Sequence, residues 1–343
     1  MTRGEPLRLK GAPGSPYTRK MLAYMRYRHI EYELLIGDQS ADQLGLPEPK
    51  TDLLPTFYLP NQDGEIEAVV DSTPLIRRFE QAFTGRETLP ENPILGFVNY
   101  LIEDYADEWL TKSMFHYRWH YDADIQKAGS ILPLWRGLQM SSDQHLKAST
   151  FVSERQISRL YVVGSNNVTA PVIEASYRRF LEIMDTIIAR QTFLLGTRPS
   201  SADFGLYAQL TQLARFDPTP MAICLQEAPR VYAWTDIMDD LSGQRCDPSG
   251  WMQVSDTREV LGPMLSEIGR VYVPALLANA RALQAGEKQF ETIIDGKRWE
   301  QPSFPYQGRC LAWIKGEYQK LSIVDRAQIN DILEGTGCEE MLH

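Results

Sequence analysis

The sequence predicts an α/β domain followed by an all-helical domain, and three observations carry that expectation. Over residues 1–87, short apolar runs and turn signals follow one another in the order strand, helix, strand, strand, strand, helix. From residue 93 onward one helical pattern succeeds another, after a linker, Leu89-Pro90-Glu91-Asn92-Pro93, that is dense in helix breakers. The length of 343 residues, with 43% hydrophobic and 10% aromatic content, suits two or three domains with a substantial core.

The elements can be justified in turn. Leu7–Leu9 is an apolar run, and a helical pattern ends near Arg28. Between them stands Ser15-Pro16-Tyr17-Thr18-Arg19-Lys20. Pro16 fits the first helical position, where no N–H is needed. Ser15 would cap the helix or hold an anion there, because helix-start amides are unpaired and carry the positive end of the macrodipole. Tyr32–Ile36 reads as a second strand and Leu54–Leu59 as a third, with Pro55 at its entrance. Asn61-Gln62-Asp63-Gly64 signals a hairpin into a strand at Glu67–Val70. Asp71-Ser72-Thr73-Pro74 then opens a helix carrying Leu75, Ile76 and Phe79 on one face, and either caps it or binds an anion.

The helical part begins with a long helix over Phe97–Tyr121, on an acidic background of Glu103, Asp104, Asp107 and Glu108. Further helices are expected over Pro133–Met140, Asp143–Leu160, Pro171–Gln191, Asp203–Ala214, Met221–Leu225 and Pro229–Leu241, with a loop at Phe216–Pro220. Ser200 and Asp203 stand three apart, as in a capping box. Beyond a break at Pro248-Ser249-Gly250, a helix at Leu261–Leu283, an irregular crossing at Gln301–Tyr306 and a final helix at Gly308–Leu321 complete the reading.

This order of elements resembles a thioredoxin-like domain, and with its helical sequel it resembles the cytosolic glutathione transferase superfamily. The resemblance implies a glutathione-binding domain at 1–87 and a helical domain at 93–343, of which 248–343 exceeds the usual arrangement. It implies that Pro55 is cis, that the backbone of Leu54 pairs with the cysteinyl part of glutathione, and that Asp71 and Ser72 hold the γ-glutamyl end. Ser15 matches the position that stabilises the glutathione thiolate in serine-type members, with Tyr17 as a rival. Lys50 is the nearest base before Leu54, since Asp52 and Leu53 stand where many members carry a Lys or Arg. The Gly196…Ser200-x-Ala202-Asp203 pattern matches the buried central helix of the second domain. Glutathione as co-substrate, a small electrophile and a homodimer are the implied partners, although the extra segment could replace the dimer surface. Tyr117, Arg118 and Trp119 are candidates for the electrophile pocket, against an alternative of aromatic core packing. The implied activity is that of a glutathione transferase, activating the glutathione thiolate for attack on a small electrophile; the alternative is a non-catalytic binding or regulatory relative.

Composition narrows the remaining classes. A net charge of −10 without a long basic patch argues against nucleic acid and anionic membranes as partners. The beginning of the chain leads into a strand and not into an apolar signal core, so a cytoplasmic location is expected. The closest approach to a membrane-spanning run, Val271–Ala280, contains Pro274 and Asn279. Cys224, Cys246, Cys310 and Cys338 lack CxxC spacing and read as free thiols. His116 and His120 have helical metal-ligand spacing but no HExxH glutamate, so no metal is expected.

Overall fold

A computed structural model describes residues 6–37 and 40–342. The stretch Met1–Glu5, which the sequence reading carries into the first strand, lies outside the described residues. Strands β1 (Leu7–Lys10), β2 (Tyr32–Leu35), β3 (Thr56–Pro60) and β4 (Ile66–Val69) form one sheet in the order β2-β1-β3-β4. The β1–β2 pair is parallel because helix α1 (Pro16–Arg28) supplies the crossover, and the other two pairs are antiparallel. Helix α2 (Ser72–Ala82) follows, burying Leu75, Ile76 and Phe79. This is the mixed sheet of a thioredoxin-like domain, as the order of elements implied.

The remaining chain is mainly helical. Helix α3 (Pro93–Tyr105) passes through a π-helical segment, Ala106–Leu110, into α4 (Thr111–His120), so the long helix expected at 97–121 is real but carries a bulge. Helices α5 (Asp122–Leu134), α6 (Ser142–Ile157), α7 (Ala170–Ile188), α8 (Ser201–Leu213), α9 (Pro218–Glu227) and α10 (Pro229–Asp239) follow. Two expectations need correction. No helix spans Pro133–Met140, because α5 starts at Asp122 and ends just past Pro133. Pro218–Pro220 are not loop, because Pro218 takes the first position of α9, where a missing N–H costs nothing.

The C-terminal extension holds more regular elements than its sequence pattern suggested. Helix α11 (Thr257–Glu267), a second π segment (Ile268–Tyr272) and α12 (Val273–Gln284) run on as one rod. The helical stretch Val254–Gln284 is apolar and long enough to cross a membrane, yet 61% of its most apolar window is buried inside the protein. The stretch read as an irregular crossing is a hairpin, β5 (Gln289–Ile294) with β6 (Lys297–Pro302), turned by Asp295 and Gly296 at φ 51° and 71°. Helix α13 (Pro305–Lys320) is not the last, for Ser322 caps α14 (Ile323–Leu333). Most of the apolar interior is one continuous core that reaches from Leu9 in β1 to Leu342.

Candidate functional site

The N-terminal signals converge at one corner of the sheet. Ser15 is the N-cap of α1: its Oγ accepts the Thr18 N–H at 3.2 Å and donates to the carbonyl of Leu54 at 2.8 Å. The Leu54–Pro55 bond is cis, in agreement with the resemblance. The loop before Ser15 is gripped from the helical region. Gln212 Nε2 donates to the Pro13 carbonyl at 3.1 Å, and Arg118 donates to that of Gly14 at 3.1 Å. Gly14 packs closely against the end of α5, where a Cβ would press on the Leu132 side-chain tip and the Trp135 ring.

Asp71 precedes α2 with φ 86° and ψ 110°, a conformation uncommon for a residue with a side chain, of the kind that clusters at functional sites. It makes no side-chain cap. Its Oδ2 accepts a hydrogen bond of 2.7 Å from the phenol of Tyr306, at the start of α13 in the extension. Ser72 is buried, and its Oγ accepts from Lys20 Nζ at 3.3 Å.

Lys20 leads to the feature that sequence reasoning missed. Its ammonium is wholly buried and lies 2.7 Å from Glu103 Oε1 and 2.6 Å from Asp107 Oδ2, with the hydroxyl of Thr73 also in reach. Burial alone would lower this amine's pKa, but Asp107 and Glu103 outweigh that and raise it. Burial also opposes ionisation of Glu103, yet Lys20 holds its carboxyl below the usual value. Ser201, beside the capping box, donates to Glu103 Oε2 at 2.6 Å, so the two separated sequence signatures meet here. Asp203 itself accepts from the Ser200 amide and hydroxyl at 2.8 and 2.7 Å, and from the Leu194 amide at 2.8 Å. The sequence signal for this centre was available: Lys20 closes the hexapeptide, and Glu103, Asp104, Asp107 and Glu108 recur at helical spacing.

The other candidates fall in different places. The phenol of Tyr17 donates to the Asp107 carbonyl at 2.7 Å in the π segment, and burial raises its pKa well above the ordinary value. It serves there as a neutral donor at the junction between sheet and helices. Lys50 is exposed. Arg118 is buried and binds both oxygens of Asp217 at 2.9–3.1 Å and Gln212 at 2.6 Å, so its charge is committed. Trp119 packs in a satellite core with Ala128 and Phe216. Tyr117 stacks on Tyr121 and lines a groove with Glu174, Arg178 and Thr219, away from the sheet. These three residues therefore do not form one pocket wall. His116 meets Ser165 at 2.8 Å and Glu174 at 3.3 Å, and burial lowers its imidazole pKa to about 4. Among the described residues no group of three or more His, Cys, Asp or Glu is placed to hold a metal.

A thioredoxin-like sheet with a serine-capped α1 facing a cis-proline turn, joined to a helical bundle, is the two-domain architecture that the resemblance implied. Residues 9–87 match the N-terminal domain of glutathione S-transferases, and residues 151–236 match their C-terminal domain. The chain belongs to the glutathione transferase superfamily. No curated protein gives a significant match. Among solved structures, a glutathione transferase family member from Pseudomonas fluorescens Pf-5, with two glutathione bound, is 12% identical; the match covers 69% of this chain and 89% of that one, with a TM-score of 0.45. A glutathione transferase from Burkholderia graminis, with two glutathione molecules per subunit, is 14% identical over 72% of this chain and 92% of its own, with a TM-score of 0.43.

Proposed function

We propose that this chain is a cytoplasmic glutathione-dependent transferase that activates the glutathione thiol for attack on a small electrophile. The observation that carries the reading is the 2.8 Å contact between Ser15 Oγ and the Leu54 carbonyl at the start of α1. A serine hydroxyl has one proton to give. When the cysteinyl N–H takes the Leu54 carbonyl, that proton is released to turn toward sulfur. A hydrogen bond to the thiolate and the field of the helix start both lower the thiol pKa from about 8.5, which raises the thiolate fraction at neutral pH. In this reading the amides that open α2 and the Ser72 hydroxyl take the γ-glutamyl carboxylate. Ser72 Oγ accepts from Lys20, and in this reading its own proton goes to that carboxylate. Asp71 faces the ammonium, and Tyr17 is a second donor at the junction.

Calorimetric titration with glutathione and conjugation of an activated aryl halide test this together. The wild type should bind, and Ser15→Ala should keep binding within a few-fold while turnover falls at least tenfold. Absence of binding at millimolar glutathione would overturn the reading.

One observation favours a second reading, that of a binding protein without efficient turnover. The Tyr306 phenol occupies Asp71, so a γ-glutamyl ammonium must displace it or share it. Glutathione binding with no turnover in the wild type, unaltered by Ser15→Ala, would support that alternative.

A further inference from the structure

Residues 11–15 lead from β1 into α1 and belong to neither. A short turn closes there, with the Ser15 amide donating to the Ala12 carbonyl at 3.0 Å. The carbonyls of the two peptides before Ser15 are taken up by side chains from the helical region. Gly14 receives Arg118 Nη1 of α4 at 3.1 Å, and Pro13 receives Gln212 Nε2 of α8 at 3.1 Å, with Arg19 Nε beside it at 3.4 Å. We propose that Arg118, supported by Gln212, is a positioning residue for Ser15: it fixes the peptide that carries the Ser15 amide and so sets where the hydroxyl stands against a bound thiol. The inference rests on the transferase reading above and gives Arg118 a part in it other than the electrophile pocket.

Arg118 suits this part because it is held from behind. The residue is 4% exposed, and its Nε and Nη2 lie on the Asp217 carboxylate at 2.9–3.1 Å. Its Nη2 also meets Gln212 Oε1 at 2.6 Å, which leaves Nη1 for Gly14. The Phe216 ring lies 5.1 Å from the guanidinium carbon. Gln212 is buried too, and besides Pro13 its amide donates to Thr211 Oγ1 at 2.7 Å. A planar guanidinium and a planar amide, each anchored by its other contacts, therefore present one donor apiece to the loop.

A serine at a helix start needs such a fixture. Its hydroxyl swings among staggered rotamers, and the observed setting both accepts from the Thr18 amide at 3.2 Å and faces the Leu54 carbonyl at 2.8 Å. Misplacing a reacting group by about 1 Å can cost on the order of a hundredfold in rate. Joining sheet to helices does not require these contacts, because Tyr17 and Lys20 of α1 already bind Asp107 and Glu103. What sets the Arg118 contact apart is its place on the peptide bond next to Ser15.

The test is the ionisation of glutathione bound to the full chain, followed across pH by the ultraviolet absorbance of the thiolate. Gln212→Met removes a loop donor and leaves no buried charge alone, and Arg118→Lys keeps a cation for Asp217 but loses the fork that reaches Gly14. Each should raise the pKa of the bound thiol by about one unit and lower turnover about tenfold at pH values below it. Glutathione affinity should stay within about threefold, because the γ-glutamyl end is held elsewhere. In a Ser15→Ala background neither variant should move the thiol further. Arg179→Lys loosens the ion pairs to Glu267 and Asp295 away from this loop, and as the control for lost stability it should leave the thiol as in the wild type. Urea midpoints report folding, and if Arg118→Lys does not fold, Gln212→Met decides. An unmoved thiol in the folded variants, or a full shift that persists without the Ser15 hydroxyl, overturns the proposal and leaves the transferase reading standing. If the wild type takes up no glutathione, or Ser15→Ala alone leaves the thiol unmoved, the transferase reading itself fails and this inference falls with it.

Discussion

The four acids of α3 and its π segment make two faces with opposite fates. Glu103 and Asp107, one turn apart, point to Lys20 from α1 and share its ammonium at 2.6–2.7 Å. Asp104 and Glu108, also one turn apart, meet the extension, which offers a phenol and an amide instead of a cation. Lys20 holds the Glu103 pKa below its usual value, while burial still lifts Asp107 to about 6, against about 7 for Asp104 and about 8 for Glu108. The same helix therefore has a neutralised structural face and a charge-starved one. Burial is common to both, so the partner sets how far burial lifts a carboxyl's pKa.

The most severe way to break this comparison is to remove the cation from the neutralised face. Lys20→Met leaves Glu103 and Asp107 buried without it, and should cost about 3–5 kcal/mol, read as a lower urea midpoint at unchanged slope. Lys112→Met is the comparator. Its ammonium is also buried, but burial lowers its pKa to about 8 and its nearest acceptors are Gln301 Oε1 at 3.2 Å and the Val163 carbonyl at 3.4 Å. Loss of Lys112 should cost distinctly less, and equal losses would deny that Lys20 is what separates the two faces.

A smaller effect sharpens the charge-starved face. Asp104 has a folded-state pKa raised from 3.8 to about 7, so the folded state binds its proton more tightly than the unfolded chain does. The stability it contributes is complete below about pH 4 and is lost as pH rises through 7. Asn at this position still accepts from Tyr272 and does not titrate. Asp104→Asn should therefore gain about 1–3 kcal/mol on the wild type between pH 5 and pH 8 in urea unfolding. Parallel curves for the two proteins would mean that Asp104 is not protonated in the fold.

What was legible in the sequence follows the range of the interactions. The strand order, the Ser15 cap and the Ser200–Asp203 box are written in local signals of a few residues. The acidic ladder was visible but read as background, because helical periodicity alone does not say which face a second domain will cover. Its partners Lys20, Ser201 and Tyr272 come from distant elements, and only the tertiary fold brings them together. The π segments were hidden because Ala106–Leu110 has the composition of ordinary helix. The β5–β6 hairpin was missed although Asp295-Gly296 is a strong turn pair between residues that alternate in burial.

The gentlest change, Tyr306→Phe, asks whether the extension competes with a ligand at the end of this acidic region. It deletes one hydrogen bond to a half-buried carboxylate and retains the ring, so stability should fall by only about 1 kcal/mol. Glutathione affinity should rise several-fold, because Asp71 no longer has to release the phenol before it meets an ammonium. A fall in glutathione affinity would reverse the role of Tyr306: the phenol would then hold Asp71 in its positive-φ conformation for the ligand, and the extension would complete the site rather than obstruct it.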